Sequence, residues 1–318
     1  MITSIFLSCF GLLLLYFGAE SLVRGSTSLG LRLGLTPLVV GLTIVAFGTS
    51  APELAVSMNA SYTGQSDVSI GNVIGSNIAN IGLILGLSAL IQPIHIDIKL
   101  IRIDIPIMIA TSIIFCLLIL DSKLTRVDGV LLMAGIITFT AFNVLKARDV
   151  KRVAQKTFAS GIAIVRDGLI REISLIIAGL AMLTIGGRML VDGAVHIARI
   201  AGVSEAVISL TVIAIGTSLP ELATSILAAA KKMSDISVGN IVGSNIFNTF
   251  GVLGASSILL PLPQGNVTWT DIGVMMLFTV AVLPLARSDF ILERWEGLLF
   301  LGGYVIYIGW LVNISILL

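Results

Sequence analysis

Residues 42–57 read LTIVAFGTSAPELAVS, and residues 210–225 read LTVIAIGTSLPELATS. The two stretches are identical at eleven of sixteen positions with a shift of 168, which chance does not give. A second pair keeps that shift: residues 67–80 read DVSIGNVIGSNIAN and residues 235–248 read DISVGNIVGSNIFN, identical at nine of fourteen positions. Further out, Gly18, Val23, Gly25 and Gly34 pair with Gly186, Val191, Gly193 and Gly202. The chain is a doubled unit, with motifs at 42–80 and 210–248 inside halves at 1–145 and 169–318. Between them, 146–168 is the longest polar segment, with Lys146, Arg148, Lys151, Arg152, Lys156 and Arg166, and reads as a linker.

Composition says where such a chain resides. Charged residues make up 12% and hydrophobic residues 56%, against about 25% charged in a soluble domain. That is too few charges to solvate a surface, which excludes a soluble globular enzyme and a disordered chain. A net charge of +1 gives no basic field for nucleic acid. With 32 glycines and few aromatics, close helix packing fits better than a β-barrel. The reading is an all-α polytopic membrane protein with the lipid bilayer as its surroundings.

A span needs roughly 20 apolar residues. Taking charges and turn residues as breaks gives ten: 2–23, 36–60, 69–91, 103–120, 127–145, 169–187, 204–230, 236–259, 270–286 and 295–316. The first lacks a positive flank and has a counterpart in the second half, so it reads as a retained helix rather than a signal peptide. Five spans per half is odd, so consecutive halves enter the membrane from opposite sides. The expected fold is ten transmembrane helices as two inverted five-helix repeats, an arrangement typical of secondary transporters with midplane sites on broken helices. Four Lys and Arg (Lys123, Arg126, Arg188, Arg199) fall on one side and fifteen on the other. The positive-inside rule then puts both termini outside and the linker in the cytoplasm. The minimal size suggests a prokaryotic plasma (inner) membrane.

Two carboxylates lie deep within expected spans, Glu53 and Glu221, and they are repeat mates. A charge at the bilayer centre costs a few kcal/mol or more, so such residues point to function. A lone buried Glu can be protonated and hydrogen-bonded; two at equivalent motif positions are poorly explained that way. Each follows a proline, Pro52 or Pro220, which lacks an amide proton and frees the carbonyl four residues back, at Gly48 or Gly216. Thr49, Ser50 and Glu53 then share one broad helix face, as do Thr217, Ser218 and Glu221. The second motif adds Asn72, Ser76, Asn77 and Asn80, with Asn240, Ser244, Asn245 and Asn248 as mates. Gly71 and Gly75 form a ridge expected to let helices approach closely. The set is oxygen-only, which suits hard cations such as Ca²⁺, Na⁺, Mg²⁺ or Mn²⁺. Two ionised glutamates balance one Ca²⁺, or two Na⁺ with a third leaving one excess charge. Cys9 and Cys116 read as small buried hydrophobes, and His95 and His196, which fall near expected loops, as interfacial residues, none with a role.

At these motifs the chain resembles the cation/calcium exchangers, specifically the prokaryotic sodium/calcium exchanger branch. The resemblance covers nearly the whole chain. It implies Ca²⁺ held by Glu53 and Glu221 with the carbonyls of Thr49 and Thr217. It implies Na⁺ sites that add Ala46, Ser50, Ser76 and Asn80, and symmetrically Ala214, Ser218, Ser244 and Asn248. It also implies electrogenic exchange, commonly three Na⁺ for one Ca²⁺, with the first and sixth helices sliding across the other eight. Many sodium/calcium members carry Asp where Asn248 stands, so stoichiometry, K⁺ co-transport and affinities stay open. Proton coupling through the two glutamates, exchange of another divalent ion, and a passive cation channel are the alternatives. No enzyme motif, cofactor or obligatory protein partner is expected; the ions themselves are the substrates.

Overall fold

The computed structural model describes residues 2–149, 168–202, 208, 214–287 and 289–317. Helix α1 is Ile2–Leu33. A bent pair follows, α2 (Pro37–Thr49) and α3 (Ala51–Tyr62), with 44° between the two parts. Then come α4 (Ser66–Ile91) and α5 (Leu100–Leu118), α6 (Arg126–Asp149) and α7 (Leu169–Ile200). After a helical turn at Ala214–Gly216 lie α8 (Leu219–Ala230), α9 (Ser234–Leu259) and α10 (Trp269–Arg287), and α11 (Arg294–Leu317). Eight of these are long and apolar enough to cross a membrane, or nine if the bent pair is one span. Residues 204–207 and 209–213 of the expected seventh span lie outside the described residues, as do 150–167 of the linker.

Two helices overrun their expected ends. Helix α1 continues past 23 to Leu33, and α7 past 187 to Ile200. The charges read as breaks, Arg24, Arg32, Arg188 and Arg199, ride on the helices instead. Packing explains the first: Arg32 donates to Glu172 through Nε at 2.8 Å and Nη2 at 3.0 Å, and Ser28 donates to the same carboxylate at 2.8 Å. Glycines then bring the antiparallel pair α1/α7 into backbone contact. A Cβ on Gly11 would lie 2.7 Å from the Gly186 carbonyl, and one on Gly179 would lie 2.7 Å from the Leu22 amide. Side chains larger than hydrogen would force the helices apart.

The most enclosed helices are α4 and α9, while α1, α6, α7 and α11 turn large apolar side chains outward, Phe6, Leu131, Ile177 and Ile306 among them. Contacts between the halves recur in pairs at the repeat shift. A Cβ on Gly297 would meet the Gly86 carbonyl at 2.7 Å, and one on Gly129 would meet that of Gly254 at 2.9 Å. Strand β1 (Ile94–His95) pairs antiparallel with β4 (Ile291–Leu292), and β2 (Lys123–Leu124) with β3 (Leu262–Pro263). Ile94 faces Leu292 just as its mate Leu262 faces Leu124. His95 thus sits in the short strand between α4 and α5, and His196 in the last turns of α7. Cys9 is exposed and Cys116 half-buried, both as free thiols, so neither is the fully buried hydrophobe expected.

Candidate functional site

The site is built where α2 gives way to α3 and where Ala214–Gly216 gives way to α8. Pro52 and Pro220 occupy the first turns of α3 and α8, where a missing amide is tolerated. The breaks fall at Ser50 (φ −83°, ψ 7°) and Ser218 (φ −86°, ψ 6°), outside helical geometry in the same way. Amide bonds Ser50 to Ala46 (3.0 Å) and Leu54 to Ser50 (3.1 Å) bridge the first break. Ser218 to Ile215 and Leu222 to Ser218, both 3.0 Å, bridge the second.

Thr49, Ser50, Glu53, Ser76, Asn80, Ser218, Glu221, Ser244 and Asn248 are all buried, as is Ala46, while Thr217 is half-buried and Ala214 opens the turn before the second break. Their bonds cross between the halves, rather than running along one helix face as the spacing alone suggests. Ser50 Oγ donates to Glu221 Oε1 at 2.8 Å, and Ser218 Oγ donates to Glu53 Oε1 at 3.2 Å. Thr49 Oγ1 donates to Asn240 Oδ1 at 3.1 Å, and Thr217 Oγ1 to Asn72 Oδ1 at 3.4 Å. Where α4 meets α9, Asn80 Nδ2 donates to Asn245 Oδ1 at 3.4 Å and Asn248 Nδ2 to Asn77 Oδ1 at 3.2 Å.

Six buried oxygens of this set have no hydrogen-bond partner among the described residues: Oε2 of Glu53 and Glu221, Oγ of Ser76 and Ser244, and Oδ1 of Asn80 and Asn248. They form three repeat pairs. A buried carboxylate oxygen left unpaired is costly, and a cation is one group that satisfies it. Among the described residues no three His, Cys, Asp or Glu gather, so a bound ion must also draw on hydroxyl, amide and main-chain oxygens. That donor set fits Na⁺ or Ca²⁺ and gives no thiolate or imidazole for softer metals. A cavity of about 380 Å³ runs to the edge of the set, lined by Pro52, Asn59, Arg188, Asp192, Thr217 and Pro220 among others.

The model of one protein family, described as sodium/calcium exchanger protein, matches residues 3–145 and again residues 172–313. The chain belongs to the sodium/calcium exchanger family. It is a family of membrane transporters and not of catalytic enzymes. The inner membrane protein YrbG of Escherichia coli (strain K12) is 36% identical over 312 residues, covering 96% of this chain and 95% of the relative. Sodium/calcium exchanger MaX1 of Methanosarcina acetivorans is 30% identical over 333 residues, covering 94% and 95%. The solved structure of the sodium-calcium exchanger NCX_Mj, soaked with zero Na⁺ and Ca²⁺, superposes with a TM-score of 0.83 at 34% identity, covering 97% of this chain and 98% of that one.

Several features of this exchanger-family site escape the sequence reading. Ser57 and Ser225, which accept from Asn72 (3.0 Å) and Asn240 (2.9 Å), close the quoted repeat as an identical pair, and that identity was the available signal. Thr249, which accepts from Asn77 at 3.0 Å, has no such signal. Nor do the π-helical turns Asn80–Leu85 and Phe247–Val252, which widen α4 and α9 beside Asn80 and Asn248. Such turns recur at functional sites. Glu53 and Glu221 are also not the only buried carboxylates: Asp104 is fully buried, Glu172 and Glu296 are 1% exposed, and these three sit near helix starts. Glu172 is held by Arg32, Asp104 lies 3.6 Å from Lys99 Nζ, and Glu296 accepts from the Glu293 amide at 2.8 Å. The mates of Gly71 and Gly75 do allow close approach: a Cβ on Gly239 would lie 2.9 Å from the Leu38 carbonyl and one on Gly243 2.7 Å from that of Leu42, whose repeat equivalents at 206 and 210 lie outside the described residues.

Proposed function

We propose that the chain is a secondary-active antiporter that exchanges Na⁺ for Ca²⁺ by alternating access at one site shared between two inverted five-helix repeats, residues 1–145 and 169–318, joined by the linker 146–168. The observation that carries this is the set of six unpartnered buried oxygens, in repeat pairs, beside crossed Ser–Glu bonds. In this reading Ca²⁺ sits between Glu53 and Glu221 with the carbonyls of Thr49 and Thr217. Na⁺ uses the same carboxylates with Ser50, Ser76, Asn80 and the Ala46 carbonyl, and with Ser218, Ser244, Asn248 and the Ala214 carbonyl. Two negative charges are neutralised by one Ca²⁺ or by two Na⁺, so either ion excludes the other, which is what an exchanger needs.

The strand pairs support ten crossings. Paired strands lie at one membrane face, so an even number of spans must separate them. Between β2 and β3 lie α6, α7, the segment ending in α8, and α9, which is even only if that segment crosses. Between β1 and β4, α5 and α10 are added, and the same condition holds. Both termini outside and a cytoplasmic linker then agree with the Lys and Arg bias. The MaX1 and NCX_Mj names support the ion pair, and the YrbG name supports an inner-membrane location. Uptake of ⁴⁵Ca²⁺ into proteoliposomes loaded with Na⁺, K⁺ or a proton gradient tests the reading. Uptake that needs internal Na⁺ is expected. Uptake driven only by protons moves the chain to proton coupling, and flux without a counter-ion gradient makes it a channel.

A further inference from the structure

Each half carries an amide, half-buried Asn72 and buried Asn240, that the proposed ion site does not use and that bonds to the threonine before the other half's break. Asn72 lies on α4 and Asn240 on α9. Asn240 Nδ2 donates to Ser225 Oγ on α8 at 2.9 Å, the same orientation as its mate Asn72, whose Nδ2 is fixed by the acceptor-only carbonyl of Glu53. Asn240 Oδ1 therefore points across the interface, where it accepts from Thr49 Oγ1 at 3.1 Å. Asn72 repeats the arrangement: Nδ2 donates to Ser57 Oγ at 3.0 Å and to the Glu53 carbonyl at 3.3 Å, and Oδ1 accepts from Thr217 Oγ1 at 3.4 Å. Each amide thus ties the segment after the break in its own half to the residue before the break in the other.

The Thr49 hydroxyl has a single proton and two acceptors in reach. One is Asn240 Oδ1 at 3.1 Å, the other the Ala46 carbonyl at 3.4 Å. The first is closer. With its proton committed to Asn240, the hydroxyl leaves the Ala46 carbonyl open to a cation and holds Thr49 still at the point where the helix ends. Without Asn240 the same proton falls back on Ala46, which caps a main-chain oxygen of the site and loosens the break.

We propose that Asn72 and Asn240 are positioning residues that set cation affinity through Thr217 and Thr49 without touching the ion. The inference rests on the reading of the site as a cation site. Equilibrium ⁴⁵Ca²⁺ binding to the purified full chain tests it. Asn240→Leu is expected to raise the Ca²⁺ dissociation constant about fivefold, the worth of one ordinary hydrogen bond. Thr49→Val should do the same, and Thr49→Ser should bind as the wild type does. If the amide acts through the hydroxyl, the double variant Asn240→Leu/Thr49→Val stays within about twofold of either single variant; independent losses multiply to about twenty-five-fold. Asn72 is half-buried, so Asn72→Leu with Thr217→Val repeats the cycle should Asn240→Leu fold poorly. Wild-type affinity in the Asn variants, or multiplicative losses, overturns the inference while Glu53→Gln still abolishes binding. A wild-type chain that binds no Ca²⁺ overturns the cation site itself, and this inference with it.

Discussion

Replacing Glu53 by Gln probes the electrostatics of the site with the least change of shape. Glu53 is fully buried, its Oε1 accepts from Ser218 Oγ at 3.2 Å, and its Oε2 has no hydrogen-bond partner among the described residues. Gln keeps the bond to Ser218 and puts an NH₂ where the free oxygen was. The site loses one of two negative charges and gains donors aimed at the ion. Two unit charges 4 Å apart interact by about 4 kcal/mol at an effective dielectric of 20, hence about 8 kcal/mol for a divalent ion. If half is returned because Gln is cheaper to bury than a carboxylate, about 4 kcal/mol remains, a loss near a thousandfold in Ca²⁺ affinity. The same arithmetic halves the effect for each Na⁺. Calorimetric titration of the purified protein with CaCl₂ reads this directly, with Glu221→Gln alongside. The crossed Ser50–Glu221 and Ser218–Glu53 bonds make the two variants near equivalents. A loss smaller than tenfold, or a large loss in one variant only, refutes a shared site with two ionised carboxylates.

Other perturbations follow from the same geometry. Asn248→Asp replaces the donor that now faces Asn77 Oδ1 at 3.2 Å; the Asn77 amide can flip to meet it, because the Thr249 hydroxyl it now donates to can itself donate. The added charge should tighten Ca²⁺ binding at least tenfold by titration, on the order of the unit-charge interactions above. Gly297→Val drives a Cβ to 2.7 Å from the Gly86 carbonyl and 3.0 Å from Ala89 Cβ, while Gly254→Val meets the Met133 amide at 3.0 Å. Both should destabilise by about 1–3 kcal/mol, the first more, as read from melting temperatures in detergent. Arg32→Ala removes a bidentate partner from Glu172, which is 1% exposed and, among the described residues, keeps Ser28. A loss of stability is expected in denaturant unfolding, with Arg32→Lys recovering part but not all of it.

Much of this architecture is legible in the residues because a membrane span is a composition signal and a repeat is an identity signal. Nearly all expected spans have a helix, and the doubled GTS and GSN motifs lead to the buried cluster. The span ends at 23 and 187 failed because a charge was read as a break. Arg32 remains helical since Glu172, itself 140 residues away, meets it. Long-range partners of this kind leave no local trace. The crossed Ser–Glu bonds were hidden for the same reason: a helical wheel puts Ser50 beside Glu53, while the break at Ser50 turns it toward Glu221. The π-turns depend on how α4 and α9 pack rather than on any propensity of residues 80–85 or 247–252.

The central claim is that one set of oxygens serves both ions in turn. Displacement of bound ⁴⁵Ca²⁺ by Na⁺ at equilibrium tests it most directly, on purified protein with choline replacing Na⁺ at constant ionic strength. The account predicts complete displacement with a Hill coefficient above one for Na⁺, because more than one Na⁺ must enter to release one Ca²⁺. Ca²⁺ that stays bound at saturating Na⁺ would contradict it, since the two ions would then occupy separate sites.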